Sequence, residues 1–107
     1  MRERERKTAQ QFNILDKVEK LEKDLLSIDG VTEVDFDLDG FYDNMNQVIF
    51  LTKYYIPADT EDYFNKRKKL IADVIKIAKN HGLTKTEDRI EDYGQHFYFV
   101  MRIVKGW

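Results

Sequence analysis

Apolar residues recur every three or four positions through Phe12, Leu15, Val18, Leu21, Leu25 and Ile28, the stripe of an amphipathic helix. Thr8 and Gln11 ahead of it have the spacing of a capping box, in which each side chain answers a backbone N–H that the first turn leaves unpaired. Asp29-Gly30 is expected to end the helix, because glycine takes the left-handed conformation at little cost. Over residues 31–38 the period changes to two: Val34, Phe36 and Leu38 alternate with Glu33, Asp35 and Asp37, as in a strand with one apolar face. After a turn, residues 48–56 are β-branched and aromatic on both faces apart from Thr52 and Lys53, which suits a strand inside a sheet. Pro57 stops that strand, and Asp59 or Thr60 is expected to cap a second helix. Its stripe is Phe64, Arg67 through its stem, Leu70, Ile71, Val74, Ile77 and Ala78, and Asn80-His81-Gly82 ends it. The last quarter repeats the plan, with a charged strand at 83–91, a turn at Tyr93-Gly94 and an apolar strand at 97–104.

The order α-β-β-α-β-β predicts an α+β fold: a four-stranded antiparallel sheet of order 3-4-2-1, permuted ferredoxin-like, with two helices on one face. That order puts the two most apolar strands in the middle and leaves the second sheet face to solvent or to a partner. By alternation Val48, Phe50, Tyr54 and Ile56 point inward, and Ile49, Leu51, Lys53 and Tyr55 point outward. The outward set of the last strand is His96, Tyr98, Val100, Arg102 and Val104. Aromatics and arginine around an apolar centre with a charged rim suit an interface.

A chain of 107 residues, 42% of them hydrophobic, suits a single domain, taken as residues 8–107. Residues 1–7 alternate Arg and Glu and are expected to form a flexible, solvated lead-in. The absence of cysteine excludes disulfides, thiolate zinc sites and a cysteine nucleophile. The start has no apolar signal core, and no apolar run approaches the roughly 20 residues of a membrane span. A cytoplasmic protein without membrane contact is therefore expected.

Net charge is −2, from 18 basic and 20 acidic residues, which argues against a general electrostatic grip on nucleic acid. The charges are unevenly spread. Asp29, Glu33, Asp35, Asp37, Asp39 and Asp43 gather without an intervening Lys or Arg, whereas Lys66, Arg67, Lys68 and Lys69 stand together in the second helix.

Two strings resemble known motifs. Asp35, Asp37, Asp39, Gly40, Asp43 and Asn46 resemble an EF-hand loop, in which alternating oxygens and a glycine at the sixth position wrap calcium. The string departs from that loop at Asn46 in place of the bidentate Glu, at Tyr42 in place of the usual aliphatic residue, and in its strand-like flanks. The alternative is an acidic edge strand ended by an Asp-Gly turn. Residues 94–102, GQHFYFVMR, resemble the RNP1 string of RNA-recognition motifs, where sheet aromatics stack on bases, but Tyr93 stands where a basic residue is usual.

Support for catalysis is slight. His81 sits at a helix end and His96 on a strand, neither with a second ligand at metal spacing, and no nucleophile elbow, phosphate loop or dinucleotide glycine pattern is present. The expectation is a non-enzymatic domain without a cofactor that binds a protein partner, itself or a foreign chain, through the open sheet face and the acidic hairpin. The residues expected to carry this are Glu33, Asp35, Asp37, Asp39, Asp43, Lys53, Tyr55, His96, Tyr98 and Arg102. Carboxylates about 7 Å apart along a strand approach the spacing of successive phosphates. The hairpin could thus imitate nucleic acid and inhibit a nucleic-acid-handling enzyme, as small proteins of phages and mobile elements do, a likeness of type only. Alternatives are calcium binding by Asp35, Asp37, Asp39, Asp43 and Asn46, a ferredoxin-like dimer with a small-molecule or enzymatic site, and weak RNA binding.

Overall fold

The computed structural model describes the backbone of residues 1–43, 47–85, 91–92 and 96–103, and the side chains of 1–43 and 47–84. Its elements are α1 (Glu3–Gln11), α2 (Leu15–Leu26), β1 (Val31–Asp37), a 3-10 turn (Asp39–Phe41), β2 (Gln47–Tyr54), α3 (Tyr63–Asn80), β3 (Leu83–Lys85), β4 (Glu91–Asp92) and β5 (His96–Ile103).

The expected α-β-β-α-β-β plan, with two helices and a four-stranded, permuted ferredoxin-like sheet, is not what forms. The chain is α+β, but the described residues hold three helices, and the segment taken as one strand over 83–91 contains two short strands, β3 and β4. Both pair with β5, Leu83 opposite Ile103 and Glu91 opposite Tyr98, so the strands among the described residues number five and run β1-β2-β5-β3 with β4 also beside β5. The antiparallel pair β1–β2 is the part of the sheet whose side chains are fully described.

The third helix arises at the N-terminus. Residues 1–7, expected to bury nothing, lead into and build most of α1, and Glu5 is only 2% exposed. Thr8 lies inside this helix, where its hydroxyl donates to the Arg4 carbonyl at 3.1 Å, and so it caps nothing. Asn13 separates α1 from α2. It takes φ 57°, while its N–H reaches the Gln10 carbonyl at 3.2 Å and the Ile14 N–H reaches the Ala9 carbonyl at 2.9 Å. Those two bonds and one left-handed residue make a Schellman closure, and Asn is the residue after Gly that best tolerates it.

The cap of the following helix also differs. The N-cap of α3 is Asp62 at φ 61°, and Thr60 instead closes a turn on the Pro57 carbonyl at 2.9 Å. With α3 beginning at Tyr63, Leu70, Val74 and Ala78 line its buried side, and Phe64 is turned 74% to solvent.

In β1 and β2 the alternation holds residue by residue: Val34, Phe36, Val48, Phe50, Thr52 and Tyr54 are buried. Ala9 of α1, Val18, Leu21 and Leu25 of α2, and Leu70, Val74 and Ala78 of α3 complete the same core, which places the helices on the inward side. Burial of each Leu or Phe in such a core contributes about 1.5–3 kcal/mol. Thr52 is fully buried with a hydroxyl that has no hydrogen-bond partner among the described residues. Gly30, at φ 93°, turns the chain from α2 into β1, as expected of a closing glycine.

Candidate functional site

Because side chains alternate along a strand, the row of β1 and β2 opposite the core consists of Glu33, Asp35 and Asp37 facing Lys53, Leu51 and Ile49 in register. The centre of this row is apolar and its margin charged. Ile49 and Leu51 are half-buried and line a shallow groove of about 290 Å³ together with Arg2, Asp35 and Asp37. Lys53 Nζ lies 3.0 Å from the Glu33 carboxylate and 3.9 Å from that of Asp35. The Glu33 hydrogen bond and charge hold the Lys53 ammonium above its ordinary pKa of 10.5. Both partners are largely in solvent, so the pair adds little stability.

The acids of the hairpin are tied into the molecule. Asp37 accepts the Asp39 N–H at 3.0 Å, and both Asp39 carboxylate oxygens accept from Arg4 Nη2, at 2.7 and 2.8 Å. Phe12, just past α1, lies against Phe41 and edge-on to Tyr42, with centroids 5.6 and 5.1 Å apart, and the Tyr42 hydroxyl donates to Gln11 at 3.0 Å. The turn after β1 is therefore held on α1 by both rings and charges. Within this contact the buried Glu5 carboxylate accepts the Leu38 N–H at 3.1 Å and the Arg2 guanidinium at 3.3 Å. Arg2 also donates to the Phe36 carbonyl at 3.3 Å. Arg2 and Glu5 thus answer one backbone carbonyl near the end of β1 and one backbone N–H just past it.

Of the ligands of the alternative calcium loop, Asp37 and Asp39 come together among the described residues, and Asp35 and Asp43 do not join them. Asp35 stands on the outward row of the strand beside Lys53, Asp43 is exposed, and Asn46 lies outside the described residues. The carboxylates that do converge are those of Glu5, Asp37 and Asp39, with one oxygen of each within 4.8 Å of the others. Arg2 and Arg4 already answer this cluster.

Of the residues expected to carry binding, Glu33, Asp35, Asp37 and Lys53 share the open row, and Asp39 and Asp43 belong to the turn beside it. Tyr55 is 56% exposed but lies past the end of β2, where its N–H bonds the Gly30 carbonyl at 2.7 Å and its side chain borders a separate cleft. His96, Tyr98 and Arg102 occupy positions opposite Lys53, Leu51 and Gln47, and their side chains lie outside the described residues. Arg2, Arg4 and Glu5 were missed. The signal available was the spacing Met1, Glu5, Thr8, Ala9 and Phe12, a helical stripe with a carboxylate in one apolar place. His81, at the helix end as expected, has its Nε2 at 2.6 Å from Asp24 and joins the end of α3 to α2.

One consequence of these surroundings is alkaline sensitivity. Burial pushes the Tyr54 phenol above its ordinary pKa of 10.0, with the Arg67 hydrogen bond opposing. Tyr54 and Lys53 both hold their protons more tightly in the folded chain, so the stability linked to them is complete below about pH 10 and is lost as pH rises through the raised values. Thermal melts between pH 9 and 11 are expected to show a falling midpoint, and Tyr54→Phe a shallower fall. An equal slope in the variant would remove Tyr54 as a cause.

Among the described residues no helix is long and apolar enough to cross a membrane. Comparison of the chain with protein-family models, with curated proteins and with solved structures finds no match.

Proposed function

We propose that the chain is a small non-enzymatic binding domain of the cytoplasm whose open β1–β2 face takes a protein partner. The observation that carries this is the outward row itself. Ile49 and Leu51 form an apolar strip that the helices do not share, since the helical core residues gather with the inward row. Around the strip stand Glu33, Asp35 and Lys53 on one side and Arg2 on another, a mixed-charge rim around an apolar centre of the kind partner surfaces use. The hairpin is better suited to framing this strip than to imitating nucleic acid. Of the charges that would stand in for phosphates, Glu33 and Asp35 meet Lys53 and Asp39 meets Arg4 within the molecule, which lowers the field a phosphate-binding site could feel.

The test uses the double variant Ile49→Lys/Leu51→Lys. Light scattering and quantitative pull-down from host lysate are expected to show an at least about tenfold loss of self-association or of a captured partner, a difference of about 1.4 kcal/mol. The melting temperature should change little, because both side chains stand outside the core. Unchanged mass and unchanged capture in a folded double variant would reject this face as the binding surface.

A further inference from the structure

A second concavity, of about 440 Å³, opens where the Asp29–Gly30 corner, the end of β2 and the first turns of α3 meet. Glycine suits this corner through its backbone at φ 93°, while a Cβ on it would lie 3.4 Å from both the Leu70 side chain and the Tyr55 carbonyl. The floor is apolar, formed by buried Leu70 with half-buried Ile28 and Ile56. Four charged residues line the cleft: Lys66 and Lys69 from α3, Asp29 from the corner and Asp73 one turn beyond Lys69. Among the described residues none of the four makes an ion pair. That is notable for Lys69 and Asp73, which stand four residues apart on one helix, a spacing at which opposite charges commonly meet.

The lining therefore offers two cations and two anions, none matched among the described residues, over an apolar base in a volume typical of small-molecule sites. We propose that this cleft binds a small zwitterion with an apolar body, for which a free amino acid with a large apolar side chain is the simplest case. Its carboxylate meets Lys66 and Lys69, its ammonium meets Asp29 and Asp73, and its side chain lies on Leu70, Ile28 and Ile56. A ligand carrying only a negative charge would face the two aspartates, and one carrying only a positive charge would face the two lysines. Either therefore gains from one pair and loses to the other. The cleft lies apart from the strip of Ile49 and Leu51, so binding here is independent of the partner face.

The test compares three ligands of one shape: L-phenylalanine, phenylacetate without the ammonium, and phenethylamine without the carboxylate. Titrated into the nitrogen-15-labelled full chain, phenylalanine is expected to give saturable amide shifts at Gly30, Tyr55, Leu70 and Asp73. Its affinity should exceed that of either analogue by at least about tenfold. Lys66→Glu/Lys69→Glu, two exposed positions, should lose that affinity by a similar factor while the rest of the spectrum keeps its folded dispersion. The proposal is overturned by any of four results: no saturable shift up to about 10 mM, shifts centred away from the cleft, an analogue that binds as well as phenylalanine, or a charge-reversed variant that binds unchanged.

Discussion

Glu5→Ala is expected to destabilise the folded chain by about 2–3 kcal/mol, because it removes a charged hydrogen-bond acceptor and leaves a buried amide unsatisfied. The carboxylate is 2% exposed and accepts the Leu38 N–H across 33 positions of sequence. Without it, the end of β1 loses its contact with α1 and the Arg2 guanidinium loses its acid. Denaturant titration should show a lower midpoint at nearly constant slope, the mark of a stability change without a change in what unfolds. Glu5→Gln, which still presents an acceptor oxygen, should recover part of the loss. Arg4→Ala offers the contrast: its bridge to Asp39 is short but largely exposed, and pairs of that kind contribute about 0–1 kcal/mol. A loss below about 0.5 kcal/mol for Glu5→Ala would mean that α1 is not docked as described.

Phe50→Ala should be costlier still, about 3–5 kcal/mol, the range for deleting a buried aromatic and leaving a cavity. Phe50 is 1% exposed and meets the Phe36 ring at a centroid distance of 6.1 Å. In register it stands between β1 and β5, opposite Phe36 and Phe99. A domain of this size holds about 5–15 kcal/mol in all, so the variant should be marginal at 37 °C. Leu51→Ala, one residue along the same strand, should cost less than about 1 kcal/mol, since it lies on the half-exposed row. Urea melts of the two variants side by side test whether the faces are assigned correctly, and equal losses would contradict the assignment. The pair also bears on function, because a partner face must tolerate change that the core does not.

Much of this architecture is legible residue by residue. Val34 and Phe36 alternate with Glu33, Asp35 and Asp37, and that alternation alone sorts β1 into a buried and an open row. The same holds for Val48, Phe50 and Tyr54 against Ile49, Leu51 and Lys53. The stripe Val18, Leu21 and Leu25 identifies α2, and Leu70, Val74 and Ala78 identify α3. The break at Asn13 was less legible, since a residue other than Gly adopts the left-handed turn only when neighbouring bonds favour it. The separation of β3 from β4 was hidden for a related reason: charged residues over 83–91 state that the segment is exposed, and leave open where it pairs.

What the sequence determines by itself is therefore local: which side chains of a strand share a face, which positions of a helix form a stripe, and which chemistries are missing for want of cysteine. These follow from the fixed geometry of the backbone, with periods of 2.0 and 3.6, whatever else the chain touches. What only the tertiary structure decides is where charge goes. Glu5 reads as a solvated residue of a polar segment, and its burial becomes favourable only because an unpaired amide at Leu38 and a guanidinium at Arg2 come within reach. Asp39 reads as an unpaired acid of a turn, and in the fold Arg4 closes on it. Charges act through space and not along the chain, so their partners are settled by the fold and by nothing shorter.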